Sequence, residues 1–180
     1  MLEINTDRLT IRRFCHKDGE ELFRLVSDPE VMRYLEPPYT KNQAERLLEE
    51  AGLCEPPLIY AVEDGEKRFV GYVIYHTYGA DGMEIGWVLK KSAWHKGYAD
   101  ELTGALMKDA EHRADYVVIE CVPAQKASGR IALKNGFFYE SREEGCDIYK
   151  YTFHVPKPNC KTTSAGQNSR GTLPGQGLKN

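Results

Sequence analysis

The stretch Met83-Glu84-Ile85-Gly86-Trp87-Val88-Leu89, then Lys90-Lys91-Ser92-Ala93, then Trp94-His95-Lys96-Gly97-Tyr98-Ala99 decides how this chain is read. The first seven residues read as a strand and the last six open a helix. Ala99, Leu102, Leu106 and Ala110 then recur on one face of that helix, to about Arg113. A helix start presents unpaired backbone N–H groups and the positive end of the helix dipole. An anion such as a pyrophosphate settles there if the backbone can approach it closely. Gly97 permits that approach, Ala99 keeps the next turn small and Lys96 adds charge. Taken alone, the six residues fit a plain helix-opening loop equally well, because short glycine motifs are weak signals.

Outward from this stretch the pattern is regular. Leu9–Phe14 alternates apolar and polar residues and reads as a strand. Asp18 with Glu21 resembles a capping box before a helix carrying Leu22, Leu25 and Val26. Asp28-Pro29 starts a short helix over Glu30–Leu35. Thr40 and Gln43 cap another, with Ala44, Leu47, Leu48 and Ala51 on one face and Gly52 at its end. Leu58–Glu63, Phe69–Tyr75 and Met83–Leu89 follow as an antiparallel meander. Beyond the long helix, Tyr116–Cys121 reads as a buried strand, Lys126–Asn135 as a helix, and Phe137–Arg142 with Asp147–Phe153 as a final hairpin around Glu144-Gly145. The order is β-α-α-α-β-β-β-α-β-α-β-β. It implies an α/β fold with a mixed, mostly antiparallel central sheet and helices on both faces.

With 180 residues, 41% of them hydrophobic and 28% charged, the chain fits one domain. We place that domain at residues 1–155. Residues 156–180, rich in Pro, Gly, Ser, Asn, Thr and Lys, form a low-complexity tail with too little apolar surface to fold alone. A net charge of -3 gives no electrostatic case for nucleic acid. No run approaches ~18 apolar residues, and the first residues lack the basic and apolar segments of a leader, so the chain reads as cytoplasmic with no membrane span. Five scattered cysteines, with no Cys-x-x-Cys and no metal spacing to His, argue against a structural metal.

Four segments in order resemble the Gcn5-related N-acetyltransferase (GNAT) family, across roughly residues 6–153. Trp94-His95-Lys96-Gly97-Tyr98-Ala99 resembles its phosphate loop, Gln/Arg-x-x-Gly-x-Gly/Ala, with Trp94 departing at the first position. Thr6–Arg12, Ser27–Leu35 and Ala127-Ser128-Gly129-Arg130 leading to Lys134-Asn135-Gly136-Phe137 are similar to the branch of ribosomal-protein N-terminal alanine acetyltransferases. The resemblance implies acetyl-CoA as acetyl donor and a V-shaped splay between the fourth and fifth strands. Backbone groups of Trp87, Val88 and Leu89 would hold the pantetheine arm and polarise the thioester oxygen. His95, Lys96, Gly97, Tyr98 and Ala99 would hold the pyrophosphate. Gln125, where the family often has Asn, would reach the cofactor with Ser128, and Arg130 and Lys134 would lie near the adenosine end.

An amine must be deprotonated to attack, and the departing thiolate needs a proton. Glu84 is the candidate base, if partial burial raises its pKa. The acid is open. Many relatives use a Tyr where this chain has Ala132, so Ser128 leads, with Tyr98 and the tyrosines of the final hairpin as substitutes. Cys121 offers a covalent route, but Ile119-Glu120-Cys121-Val122-Pro123 supplies nothing to lower its pKa. His76, His95 and His112 carry no special signal. The loops Glu36–Tyr39 and Glu143–Cys146 are acidic and favour a cationic acceptor, a peptide N-terminus or a small-molecule amine, or serve only to solvate the surface. A homodimer stays open. Two other readings compete: an acyl-CoA-binding regulatory domain without catalysis, which Trp94, Gln125 and Ala132 would suit, and an interaction module without cofactor.

Overall fold

The computed structural model describes residues 2–153, so the expected tail, 156–180, lies outside the described residues. A single eight-stranded sheet runs in the order β1-β2-β3-β4-β5-β6-β8-β7. Its strands are β1 Ile4–Asn5, β2 Leu9–Arg12, β3 Ile59–Asp64, β4 Phe69–Tyr78, β5 Gly82–Leu89, β6 Tyr116–Cys121, β7 Phe138–Glu143 and β8 Cys146–Thr152. All neighbours are antiparallel except β5 and β6. The helices are α1 Gly19–Val26, α2 Lys41–Leu47, α3 Tyr98–Ala110 and α4 Lys126–Lys134.

Alternation along the strands sends two sets of side chains to opposite faces. Ile59, Ala61, Tyr72 and Val88 join Leu22, Leu25 and Val26 of α1 and Ala44 and Leu47 of α2 in one core. Tyr60, Val62, Val73, Tyr75, Ile85 and Leu89 join Leu102, Leu106 and Ala110 of α3 and Ala132 of α4 in the other. The expected α/β architecture, with helices on both faces, is the one observed. No helix among the described residues is long and apolar enough to cross a membrane.

Three local readings change. A two-residue strand, β1, precedes the first expected one, so the splay between the fourth and fifth strands falls between β5 and β6. The short helix expected over Glu30–Leu35 is a single 3₁₀ turn at Met32–Tyr34. Asp18 does not cap α1 with its side chain. Its carboxylate instead accepts from the Cys15 N–H and from both guanidinium ends of Arg12 at 2.8 Å. A buried carboxylate has more to gain from a bidentate guanidinium than from a terminal amide.

Candidate active site

The parallel seam between β5 and β6 is short. Gly82, Met83 and Glu84 pair with Tyr116, Val117 and Val118, and there the ladder stops, although β5 runs on to Leu89 and β6 to Cys121. The strands part beyond Glu84 and leave a V-shaped gap. The direction of the backbone groups follows from β4. Lys90 N–H donates to the Val70 carbonyl at 2.9 Å. Strand alternation therefore turns the N–H and C=O groups of Val88 and Gly86 to β4 as well, and those of Trp87 and Leu89 into the gap. Trp94 closes one of these sites, because its indole N–H donates to the Leu89 carbonyl at 2.8 Å. The residue that departs from the phosphate-loop pattern thus bonds the strand that leads into the loop.

At the open end of the gap stands the start of α3. Gly97, at φ 79°, is the residue before its first turn, and no side chain caps it. His95 also has positive φ, at 60°. Lys96 and Tyr98 lie together, the ammonium 5.9 Å from the ring centre. Sequence separation hid what supports this loop. Arg8 donates to the Lys96 carbonyl at 2.9 Å, stacks 4.8 Å from the centre of the Tyr98 ring, and pairs with Glu101 at 2.6 Å. Thr6 and the Arg8 N–H also donate to Glu101. These bonds outweigh burial and hold the Glu101 carboxyl below its usual range. The turn between β1 and β2 is therefore tied to the first turn of α3. A cavity of about 530 Å³ opens beside the loop, with Arg68, Lys90 and Lys96 in its wall.

At the closed end lies Glu84, the last residue paired to β6. Its side chain is 15% exposed. Burial, and then the nearby Glu120, push its carboxyl up to about 8. This is the environment a base for ammonium substrates needs. His76 of β4 is directly opposite. Tyr78 and Gly82 close the hairpin, and His76 and Glu84 each lie two residues beyond that closing pair.

The residues of α4 divide. Ser128 is buried, and Gln125 sits just before the first turn with no side-chain cap bond. The Tyr149 hydroxyl packs so closely on Gly129 that a Cβ there would stand 2.7 Å from it. That brings one hairpin tyrosine to the turn that holds Ser128, and burial raises its pKa, so it keeps its proton. Cys121 is also here, with its thiol pushed up to about 11, chiefly by burial. Arg130 is exposed. Lys134 is engaged: its ammonium lies 2.6 Å from Asp100 in the first turn of α3, and Asn135 donates to the same carboxylate.

The family model for the acetyltransferase (GNAT) domain matches residues 8–138. A Bacillus subtilis protein named Uncharacterized N-acetyltransferase YnaD is 28% identical over 162 residues, covering 88% of this chain and 91% of that protein. Among solved structures, a GNAT-family acetyltransferase from Bacillus anthracis superimposes with a TM-score of 0.78 at 26% identity, over 86% of this chain and 100% of that one. RimL, a ribosomal L7/L12 alpha-N-protein acetyltransferase solved with coenzyme A, superimposes with a TM-score of 0.71 at 18% identity, over 84% and 98%.

Proposed function

Because this chain belongs to the GNAT acetyltransferases, with the family domain spanning residues 8–138 of 180, we propose that it moves an acetyl group from acetyl-CoA to a primary amine by direct attack in a ternary complex. The observation that carries this reading is one gap with two differently equipped ends. A carboxyl with a raised pKa closes one end, and an uncapped helix start with a left-handed glycine opens the other. The described residues fit the donor: the gap is bordered by backbone groups of Trp87 and Leu89 that β4 leaves free, and the loop from His95 to Ala99 ends in N–H groups aimed outward.

Bound acetyl-CoA supplies an acyl carbon activated as a thioester. The chain's own part is to position and to move protons. The Trp87 and Leu89 N–H groups face the place where negative charge gathers on the acyl oxygen. Glu84 takes the amine's proton. Ser128 is the proton donor to the leaving sulfur, and Tyr149 is its competitor from the final hairpin. Ser128→Ala and Tyr149→Phe distinguish them, the true donor showing the larger loss of kcat with KM for the donor unchanged. Arg130 and the Lys134–Asp100 pair border the expected adenosine side. RimL acts on a protein N-terminus, and the acidic loops Glu36–Tyr39 and Glu143–Cys146 suit either such an amine or a small cationic one. The catalytic unit is residues 1–155, so a chain cut after residue 155 keeps its rate and donor affinity.

The test is direct. Coenzyme A at ~100 times its dissociation constant stabilises the protein by about 2.7 kcal/mol, read as a melting shift. Acetyl-CoA with a panel of amines releases free thiol. A melting shift without thiol release would mean a cofactor-binding domain without catalysis, and no shift at saturation would sink the reading altogether. Cys121 decides the route. A thiol that titrates near 11 is neutral at physiological pH and is no nucleophile. Cys121→Ala therefore keeps most activity, and double-reciprocal plots intersect. Parallel lines with a labelled Cys121 thioester would replace direct attack by a covalent route.

A further inference from the structure

One buried polar side chain has no part in the chemistry above. His76 lies in β4 opposite Glu84, and its side chain is 6% exposed. Its Nδ1 is 2.9 Å from the Thr77 carbonyl oxygen. A carbonyl only accepts, so Nδ1 carries the ring proton and Nε2 of the neutral ring is left with its lone pair. That Nε2 is buried without a hydrogen-bond partner. Glu84 Oε2 is 3.4 Å away, beyond a formed hydrogen bond but within a small carboxyl rotation of one. Catalytic hydrogen bonds are often long without substrate and tighten in the complex. A buried acceptor without a donor is costly, and a protonated Glu84 is the donor at hand. Burial disfavours charge on both groups, holding the imidazole below its ordinary range and the carboxyl above its own.

We propose that His76 is the proton partner of Glu84, a positioning residue whose Nε2 takes the proton already on the carboxyl as Glu84 takes the proton of the reacting amine. The inference rests on Glu84 as the base. A carboxyl that titrates near 8 is mostly protonated at pH 7, and a protonated carboxyl alone is no base. The two-proton exchange removes that difficulty. As the amine nitrogen bonds to the acyl carbon and the carbon–sulfur bond breaks, the nitrogen's proton moves to one oxygen of Glu84. The proton on its other oxygen moves to Nε2, and the sulfur takes its own proton from the α4 side. His76 is left as an imidazolium, held at Nδ1 by Thr77 and facing Glu120, whose charge favours it. The proton returns through Glu84 to solvent when the product leaves.

Other charged and phenolic groups on the elements of this face are engaged with partners of their own. Lys150 of β8, aligned with Val118, bonds Glu140 at 3.4 Å and lies over the Tyr116 ring. Glu21 of α1 pairs with Lys90 and Arg24. Tyr39 lies against Tyr72, further along β4, and burial holds both phenols protonated.

His76→Asn keeps a donor for Thr77 and removes Nε2. Its kcat at saturating acceptor falls about 10-fold at pH 7 and recovers to within about two-fold of wild type at pH 9, where a carboxyl titrating near 8 ionises unaided. Wild type shows no such limb, and KM for acetyl-CoA is unchanged. In nitrogen-15 spectra of the wild type, His76 is the neutral Nδ1–H form at pH 7, a readout that stands if the variant fails to fold. A pH-independent loss, or an Nε2–H form of His76, overturns the proposal. Glu84→Gln separates the two levels. If it is unimpaired, the base assignment falls and the relay with it. If it is crippled while His76→Asn tracks wild type at every pH, the relay alone falls.

Discussion

Glu84→Gln loses about 10²–10⁴-fold in kcat at neutral pH, the range a positioned general base contributes, and is steadier than the wild type in alkali. The loss follows because an amide cannot take the amine's proton, while its size and the β5 backbone are unchanged. The stability follows from the sign of the pKa shift. The folded value, about 8, lies above the unfolded value of 4.5. The favourable contribution of the protonated carboxyl is therefore complete below pH ~4.5 and is lost as pH rises through 8. Above pH 8 the wild type buries a carboxylate near Glu120 that the variant does not have, so the variant melts at the higher temperature. Rate against acceptor concentration at pH 7 and melting curves at pH 5 and 9 check both halves. A variant equal to wild type in rate removes Glu84 from the mechanism and leaves the family standing.

Gly97→Val abolishes the melting shift that coenzyme A gives the wild type, about 2.7 kcal/mol at 100 times the dissociation constant. Gly97 has φ 79°, a region that a β-branched residue adopts only with strain. To relieve it, the loop must rotate, and the N–H groups before α3 lose their common aim. The fold itself tolerates the change. A Cβ at this position meets only the Arg8 guanidinium, at 3.5 Å, an ordinary van der Waals contact. Calorimetric titration with coenzyme A, beside a far-ultraviolet spectrum for the fold, separates lost binding from lost structure. A full shift in the valine variant would place the pyrophosphate elsewhere.

What could be read from the sequence was local. Tyr116–Cys121 has the expected bounds, and α3 buries Leu102, Leu106 and Ala110 as its spacing requires. The placement of Glu84 on the strand and of Gly97 at the helix start was legible because strand, loop and helix adjoin in the chain. Residues 4–5 form a strand too short to show a period, and the Asp18 carboxylate was misread because its partner, Arg12, comes from the preceding strand. The Arg8–Glu101 pair joins residues 93 apart. No periodicity carries such information, since it arises only when the edge of the sheet and the start of α3 meet. Trp94 looked like a defect in a motif, and its bond to Leu89 gives it a structural use.

The seam that ends at Glu84 also bears on how the protein behaves when its donor is scarce. Elsewhere a sheet margin is kept from recruiting foreign strands by charge, bulges or a covering segment. Here a margin lies inside the molecule: the last residues of β5 face a slot that no strand among the described residues fills. Trp94 covers one acceptor, at Leu89, and on the proposed function the amides of bound acetyl-CoA would cover the rest. On that reading, the abundance of acetyl-CoA would set how many copies carry an open margin. Starvation for acetyl donor would then idle the enzyme and also leave that margin open to strand addition by other chains.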